Sequence, residues 1–184
     1  MTNDEKYKDD FFNDLLGQLD DKKGKKEKKM KEPVNAIKTH ELEQFMKSRF
    51  QCDDRWHFFT ELRLGTGYSN EQRADGFLME LWPSKGFVRT AFEYKVSRQD
   101  FLKEIKNPQK RQSIKSYSDH FVIITANDIV KDKSEIPSDC GWFVFDGKEL
   151  KTMVRPPKLP PTPFADWPFI CSLVRSAFKN GGIK

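Results

Sequence analysis

The sequence has few of the residues that build metal cages or covalent cross-links: only three cysteines (Cys52, Cys140, Cys171) and three histidines (His40, His57, His120) in 184 residues. The cysteines are odd in number, far apart and without CxxC spacing. That argues against a disulfide framework or a cysteine zinc site and for reduced, partly buried thiols. The histidines form no HExxH and no other pair at helical spacing, which argues against a zinc hydrolase. No apolar run approaches the roughly 18 residues of a membrane span, and the first residues hold no signal-peptide core. A soluble, cytoplasmic protein with no membrane partner is expected.

An excess of one charge is missing from the first stretch as well. Residues 1–32 hold nine acidic and nine basic side chains, whereas from Pro33 onward there are 24 Lys and Arg against 19 Asp and Glu. The whole formal charge of +5 therefore sits on residues 33–184. Such a field suits a polyanionic partner without deciding for one.

Two parts follow from the patterning. Residues 1–32 read as a tail: Tyr7, Phe11, Phe12, Leu15, Leu16 and Leu19 recur at helical spacing, and seven lysines between Lys22 and Lys31 make a self-repelling linker. The short Tyr7–Leu19 helix either packs back on its own domain or docks on a protein partner. Residues 33–184, rich in Phe, are long enough for one domain with a real core.

Within that domain Thr39 opens a helix to about Phe50, with Leu42, Phe45 and Met46 on one face. Strands are expected over Trp56–Leu64, Ala74–Trp82 and Phe87–Val96, separated by the Gly65–Gly67 and Ser84–Gly86 turns. Ser97 with Asp100 three residues on caps a helix through Ile105; Asn107-Pro108 breaks it, and a second helical stretch runs to about Tyr117. His120–Thr125 fits a buried strand, Trp142–Phe145 and Leu150–Val154 a hairpin, and Trp167–Phe178 a last helix. Trp82, Trp142 and Trp167 read as core and hairpin packing residues. The fold class is α/β: helix, three-strand meander, helix, strand, with a C-terminal hairpin and helix.

The Phe87–Val96 strand carries the chemistry. Arg89, Ala91, Glu93 and Lys95 alternate on one face, opposite an apolar one. That pattern also describes an ordinary solvated strand, and a lone Glu-x-Lys is weak. If the two preceding strands form a hairpin about Ser84–Gly86, however, Asp75 lies near Glu93–Lys95. Two carboxylates on adjacent strand ends make a hard-oxygen site for Mg²⁺, completed by water and phosphate. A lysine on the same face can orient a water and offset charge on phosphorus.

The order of elements, with Arg73-Ala74-Asp75, Phe92-Glu93-Tyr94-Lys95-Val96-Ser97 and Asp100-Phe101, resembles the PD-(D/E)xK nuclease superfamily, and within it the MmcB-like DNA repair branch of bacteria and phages. Tyr117-Ser118-Asp119-His120-Phe121, Ile136-Pro137 and Gly141-Trp142 fall where that branch has similar residues, so the likeness covers most of residues 55–178. Ala74 stands where the superfamily name has proline. The resemblance implies a restriction-endonuclease-like core and a Mg²⁺- or Mn²⁺-dependent deoxyribonuclease of a prokaryotic or phage-infected cell, acting in repair, recombination or phage DNA processing. It implies Asp75 and Glu93 as metal ligands and Lys95 as the catalytic lysine. It further implies an acidic residue on the first strand or helix, where Glu61 matches best and Glu43 second, with an ion pair to Arg63 or Arg73 the rival role for Glu61. Among the basic residues after the strand (Arg98, Lys103, Lys106, Lys110, Arg111, Lys115), Arg98, Lys110 and Arg111 are candidates for DNA phosphates. The alternative function is a catalytically silent DNA-binding or adaptor protein on the same fold.

Overall fold

The computed structural model describes residues 37–50, 55–65, 72–160 and 165–179. The Tyr7–Leu19 segment, the lysine linker, Cys52 and the Gly67 end of the first turn lie outside the described residues.

Helix α1 (Thr39–Phe50) starts where the Glu41 carboxylate accepts from the Lys38 N–H at 2.8 Å, and it buries Leu42, Met46 and Phe50 at four-residue steps. Strands β1 (Trp56–Arg63), β2 (Arg73–Glu80) and β3 (Arg89–Lys95) form an antiparallel meander. β2 ends two residues before the expected Trp82, because Pro83 opens a short 3-10 turn that closes on Gly86 at a φ of 81°. That left-handed value favours glycine. Ser97 caps α2 (Arg98–Lys106) by accepting from the Asp100 N–H, and α3 (Pro108–Lys115) begins at the proline that stops it. β4 (His120–Ala126), wholly buried, pairs parallel with both β3 and β5 (Gly141–Phe145); β6 (Leu150–Val154) returns antiparallel. α4 (Trp167–Lys179) follows.

The result is an α/β fold: one six-stranded mixed sheet in the order β1-β2-β3-β4-β5-β6, with helices on both faces. Leu42, Met46 and Phe50 of α1 meet Phe58, Phe92, Ile124 and Phe145 on one side. Phe101 of α2, Ile114 of α3 and Phe169 of α4 meet Phe77, Phe121 and Trp142 on the other. Phe169 stacks on Tyr117 at 4.3 Å and meets Phe77 edge-on at 5.8 Å, which pins α4 beside β2.

Two tryptophan expectations are corrected. Trp142 is core, its Nε1 donating to the Thr125 hydroxyl at 2.9 Å. Trp82 and Trp167 are 46% and 78% exposed, because one sits at the turn where β2 stops and the other on the side of the first turn of α4 away from buried Phe169. Among the described residues no helix is long and apolar enough to cross a membrane. The thiols of Cys140 (buried) and Cys171 (exposed) are free; burial pushes that of Cys140 up to about 11, which makes it inert.

Candidate active site

β3 lies in the middle of the sheet and is covered on both sides, so its second face is not the solvated one that a charged alternation usually marks. Glu93 and Lys95 point the same way as Ala91, toward α2 and α3, and their side chains are only 3% and 10% exposed. The Lys95 amine lies 2.6 Å from Glu93 Oε1. Ionic groups are rarely left this dry without a task or a complete set of partners. Here the set is incomplete, for Glu93 Oε2 is buried without a hydrogen-bond partner.

The β2–β3 hairpin supplies the second carboxylate. Gly76 pairs with Phe92, and one further step in that register sets Asp75 opposite Glu93. Asp75 Oδ2 accepts from the Tyr94 N–H at 2.8 Å, which fixes the carboxylate at the strand end. Gly76 is required for this approach: a β-carbon there would sit 2.5 Å from Tyr94 Oη and 2.8 Å from the Phe58 ring. Burial raises the Asp75 carboxyl above its ordinary range, against the lowering pull of the Tyr94 N–H and of Lys95 and Lys110. Burial first, and then the Asp75 charge, push Glu93 up to about 7. Two carboxyls held in one dry place resist ionising together, and a cation between them relieves both.

A third buried carboxylate was missed from the sequence. Glu104 of α2 reaches Lys95 at 3.4 Å, Lys110 at 3.4 Å and Arg111 at 3.5 Å. Arg111 also donates to the Glu104 carbonyl. Lys110 reaches Glu93 Oε1 at 3.5 Å as well, so two lysines bridge the same two glutamates. The available signal was position: Glu104 stands three residues after buried Phe101, on the face of α2 turned to the sheet.

The remaining predicted residues are not brought to this place. Glu61 is 66% exposed and pairs with Arg73 at 2.9 Å. The cause is a kink, for its φ is 47°. Phe59, Leu62 and Leu64 all enter the same buried cluster, which strict two-residue alternation forbids. Strict alternation along β1 would set Glu61 on one face with His57 and Arg63, and that shared face is lost at Glu61. Glu43 of α1 pairs with Lys47 at 2.8 Å. Arg98 is committed to Glu135, in two contacts of 2.6 and 2.5 Å, and to the Ile129 carbonyl at 3.0 Å, tying α2 to the loop after β4. Arg111 is buried against Glu104 and faces no open surface. Of the three DNA-phosphate candidates, only Lys110 is both half-exposed and beside the carboxylates.

Asp75 and Glu93 fit a hard divalent cation by donor type, and the unpartnered Glu93 Oε2 is a free ligand atom. Among the described residues no group of three His, Cys, Asp or Glu side chains forms a cage. Two carboxylates match an ion such as Mg²⁺, which keeps several waters and is commonly completed by substrate phosphate.

No protein-family model and no curated protein matches the chain. Among solved structures, the SPO1766 protein of unknown function from Silicibacter pomeroyi is similar over 69% of this chain and 82% of its own, at 18% identity and a TM-score of 0.46.

Proposed function

We propose that the chain is a divalent-metal-dependent deoxyribonuclease with a restriction-endonuclease-like core, hydrolysing phosphodiesters in DNA repair, recombination or phage DNA processing. One observation carries this reading: half-buried Asp75 stands one register step beyond the Gly76–Phe92 pair, near enough for its charge to raise the buried Glu93 carboxyl, and the Lys95 amine lies 2.6 Å from Glu93. Bound Mg²⁺ or Mn²⁺ supplies a water of lowered pKa and Lewis-acid polarisation of the phosphoryl oxygen. Asp75 and Glu93 are the residues that hold the ion, Asp75 with its carboxylate aimed by the Tyr94 N–H. Lys95, held between Glu93 and Glu104, orients the attacking water and offsets the negative charge that develops on phosphorus. Glu104, 3.4 Å from each, holds Lys95 and Lys110 in place when Glu93 turns to the ion. Lys110, half-exposed at the rim, is suited to a phosphate oxygen.

The second reading, a DNA-binding or adaptor protein that does not cut, is favoured by Glu61, whose turn to Arg73 leaves Asp75 and Glu93 without the first-strand carboxylate, while Glu104 is taken up by Lys95, Lys110 and Arg111. A cleavage screen on linear, nicked, flapped and four-way DNAs with Mg²⁺ or Mn²⁺ separates the two. Cutting that EDTA stops and that Lys95→Ala abolishes supports the nuclease. DNA retention without cutting under every metal condition supports the adaptor, and near wild-type turnover by purified Lys95→Ala sinks the site assignment.

A further inference from the structure

A second charged site lies at the edge of the sheet where β1 ends. There a cleft of about 690 Å³ opens between α4 and the strand ends, and apart from Gly65 its lining residues are all polar or charged. Ser172, Arg175, Ser176 and Lys179 line it from α4 at steps of three and four, so one whole face of that helix turns toward the cleft. Ser172 anchors the face by donating to the Arg63 carbonyl at 2.6 Å. Arg63 and Arg73 come from the paired ends of β1 and β2.

The charge of this cleft is unbalanced. Its two carboxylates are already matched, Glu61 with Arg73 and Glu43 with Lys47. Arg63, Arg175 and Lys179 line the same space with no carboxylate partner among the described residues. Three unmatched cations converging on one concavity repel each other unless an anion enters. An apolar ligand finds nothing here to bury against. Arg73 stands two residues before Asp75 on β2, so the cleft adjoins the carboxylate pair along the chain itself.

We infer that this cleft binds the phosphodiester backbone of the nucleic acid flanking the scissile bond, with Arg63, Arg175 and Lys179 as phosphate contacts. The inference rests on the nuclease reading for its ligand, and it places the backbone grip on α4 and β1, away from the basic residues of α2 and α3. Guanidinium groups suit phosphate because their planar donors match two oxygens at once. Such contacts position a strand without reading its sequence.

The test uses the full chain in EDTA, with fluorescence anisotropy of a short labelled DNA duplex and its single strand across a salt series. Arg175→Ala/Lys179→Ala is compared with Lys148→Ala/Lys151→Ala, which removes the same charge at the β5–β6 hairpin on the opposite side of the sheet. The cleft variant is expected to bind about tenfold or more weakly at low salt, with a log–log salt slope shallower by roughly one to two units. The hairpin variant keeps the wild-type slope. Arg175 and Lys179 are exposed, so melting temperatures should not move. Equal losses in both variants, or an unchanged slope in the cleft variant, overturn the cleft while leaving metal-dependent cutting by the wild type standing. Wild-type protein that binds no DNA at low salt overturns the cleft and the nuclease reading together.

Discussion

Glu93→Gln offers the sharpest test of the site, because its effect on stability is separable from its effect on activity. The wild-type carboxyl ionises at about 7 in the folded chain against an ordinary 4.5. Between those values the folded state binds the extra proton, so stability falls as pH rises through that window and the penalty is complete above about pH 7. The gap corresponds to about 3 kcal/mol at about 1.36 kcal/mol per pH unit. Glutamine mimics the protonated acid and does not titrate. Whatever its packing cost, the variant should therefore gain about 3 kcal/mol on the wild type between about pH 4.5 and pH 8, or roughly 6–12 °C in melting temperature for a domain of this size. Urea melts of both proteins at a series of pH values measure the difference directly. Mg²⁺ at a hundredfold excess over Kd should return about 2.7 kcal/mol to the wild type and nothing to the variant. A stability gap that does not change with pH would refute the picture of a buried Glu93 carboxyl held beside the Asp75 charge.

Asp75→Asn, Glu93→Gln and Lys95→Ala should each lower cleavage by about a hundredfold or more with far-UV CD unchanged, since the three act as a unit; Glu61→Gln, exposed and paired with Arg73, should remain within a few-fold of wild type. Glu104→Ala strips the counter-charge from buried Arg111 and Lys95 and should cost about 3–5 kcal/mol in denaturant unfolding. A loss under about 1 kcal/mol there would show that Glu104 holds neither cation. Gly76→Ala drives a methyl into Tyr94 and Phe58 and should cost about 1–3 kcal/mol, with cleavage falling alongside because Asp75 moves with the strand. Deleting residues 1–32 should leave melting temperature and metal-dependent cleavage nearly unchanged, whereas a large drop in melting temperature would show that Tyr7–Leu19 packs on its own domain.

Local signals were enough to find the elements. The Ser97 cap, the Asn107-Pro108 break and the apolar His120–Thr125 run each act within a few residues, and each stands where local chemistry puts it. Asp75 and Glu93 could be brought together from the chain because consecutive strands usually pair, although residues 81–88 separate β2 from β3. Glu61 could not be placed, since one residue at a φ of 47° reverses the faces of all that follow, and no side chain announces it. The exposed Trp82 and Trp167 show the same limit from the other side: a large ring says nothing about which way its element will turn.

By itself the sequence determined an α/β order of elements, the strand that bears Glu93 and Lys95, and the carboxylate set to meet them. Only the tertiary structure decided that this strand is central and covered, since burial depends on neighbours distant along the chain. It decided that Glu104 of α2 joins the two lysines, that Arg98 and Arg111 are occupied within the protein, and that α4 brings Arg175 and Lys179 beside Arg63 of β1. Alternation and caps are properties of a few adjacent residues. The dry pairing of charges and the convergence of cations on a cleft are properties of surfaces that meet only when the chain has folded.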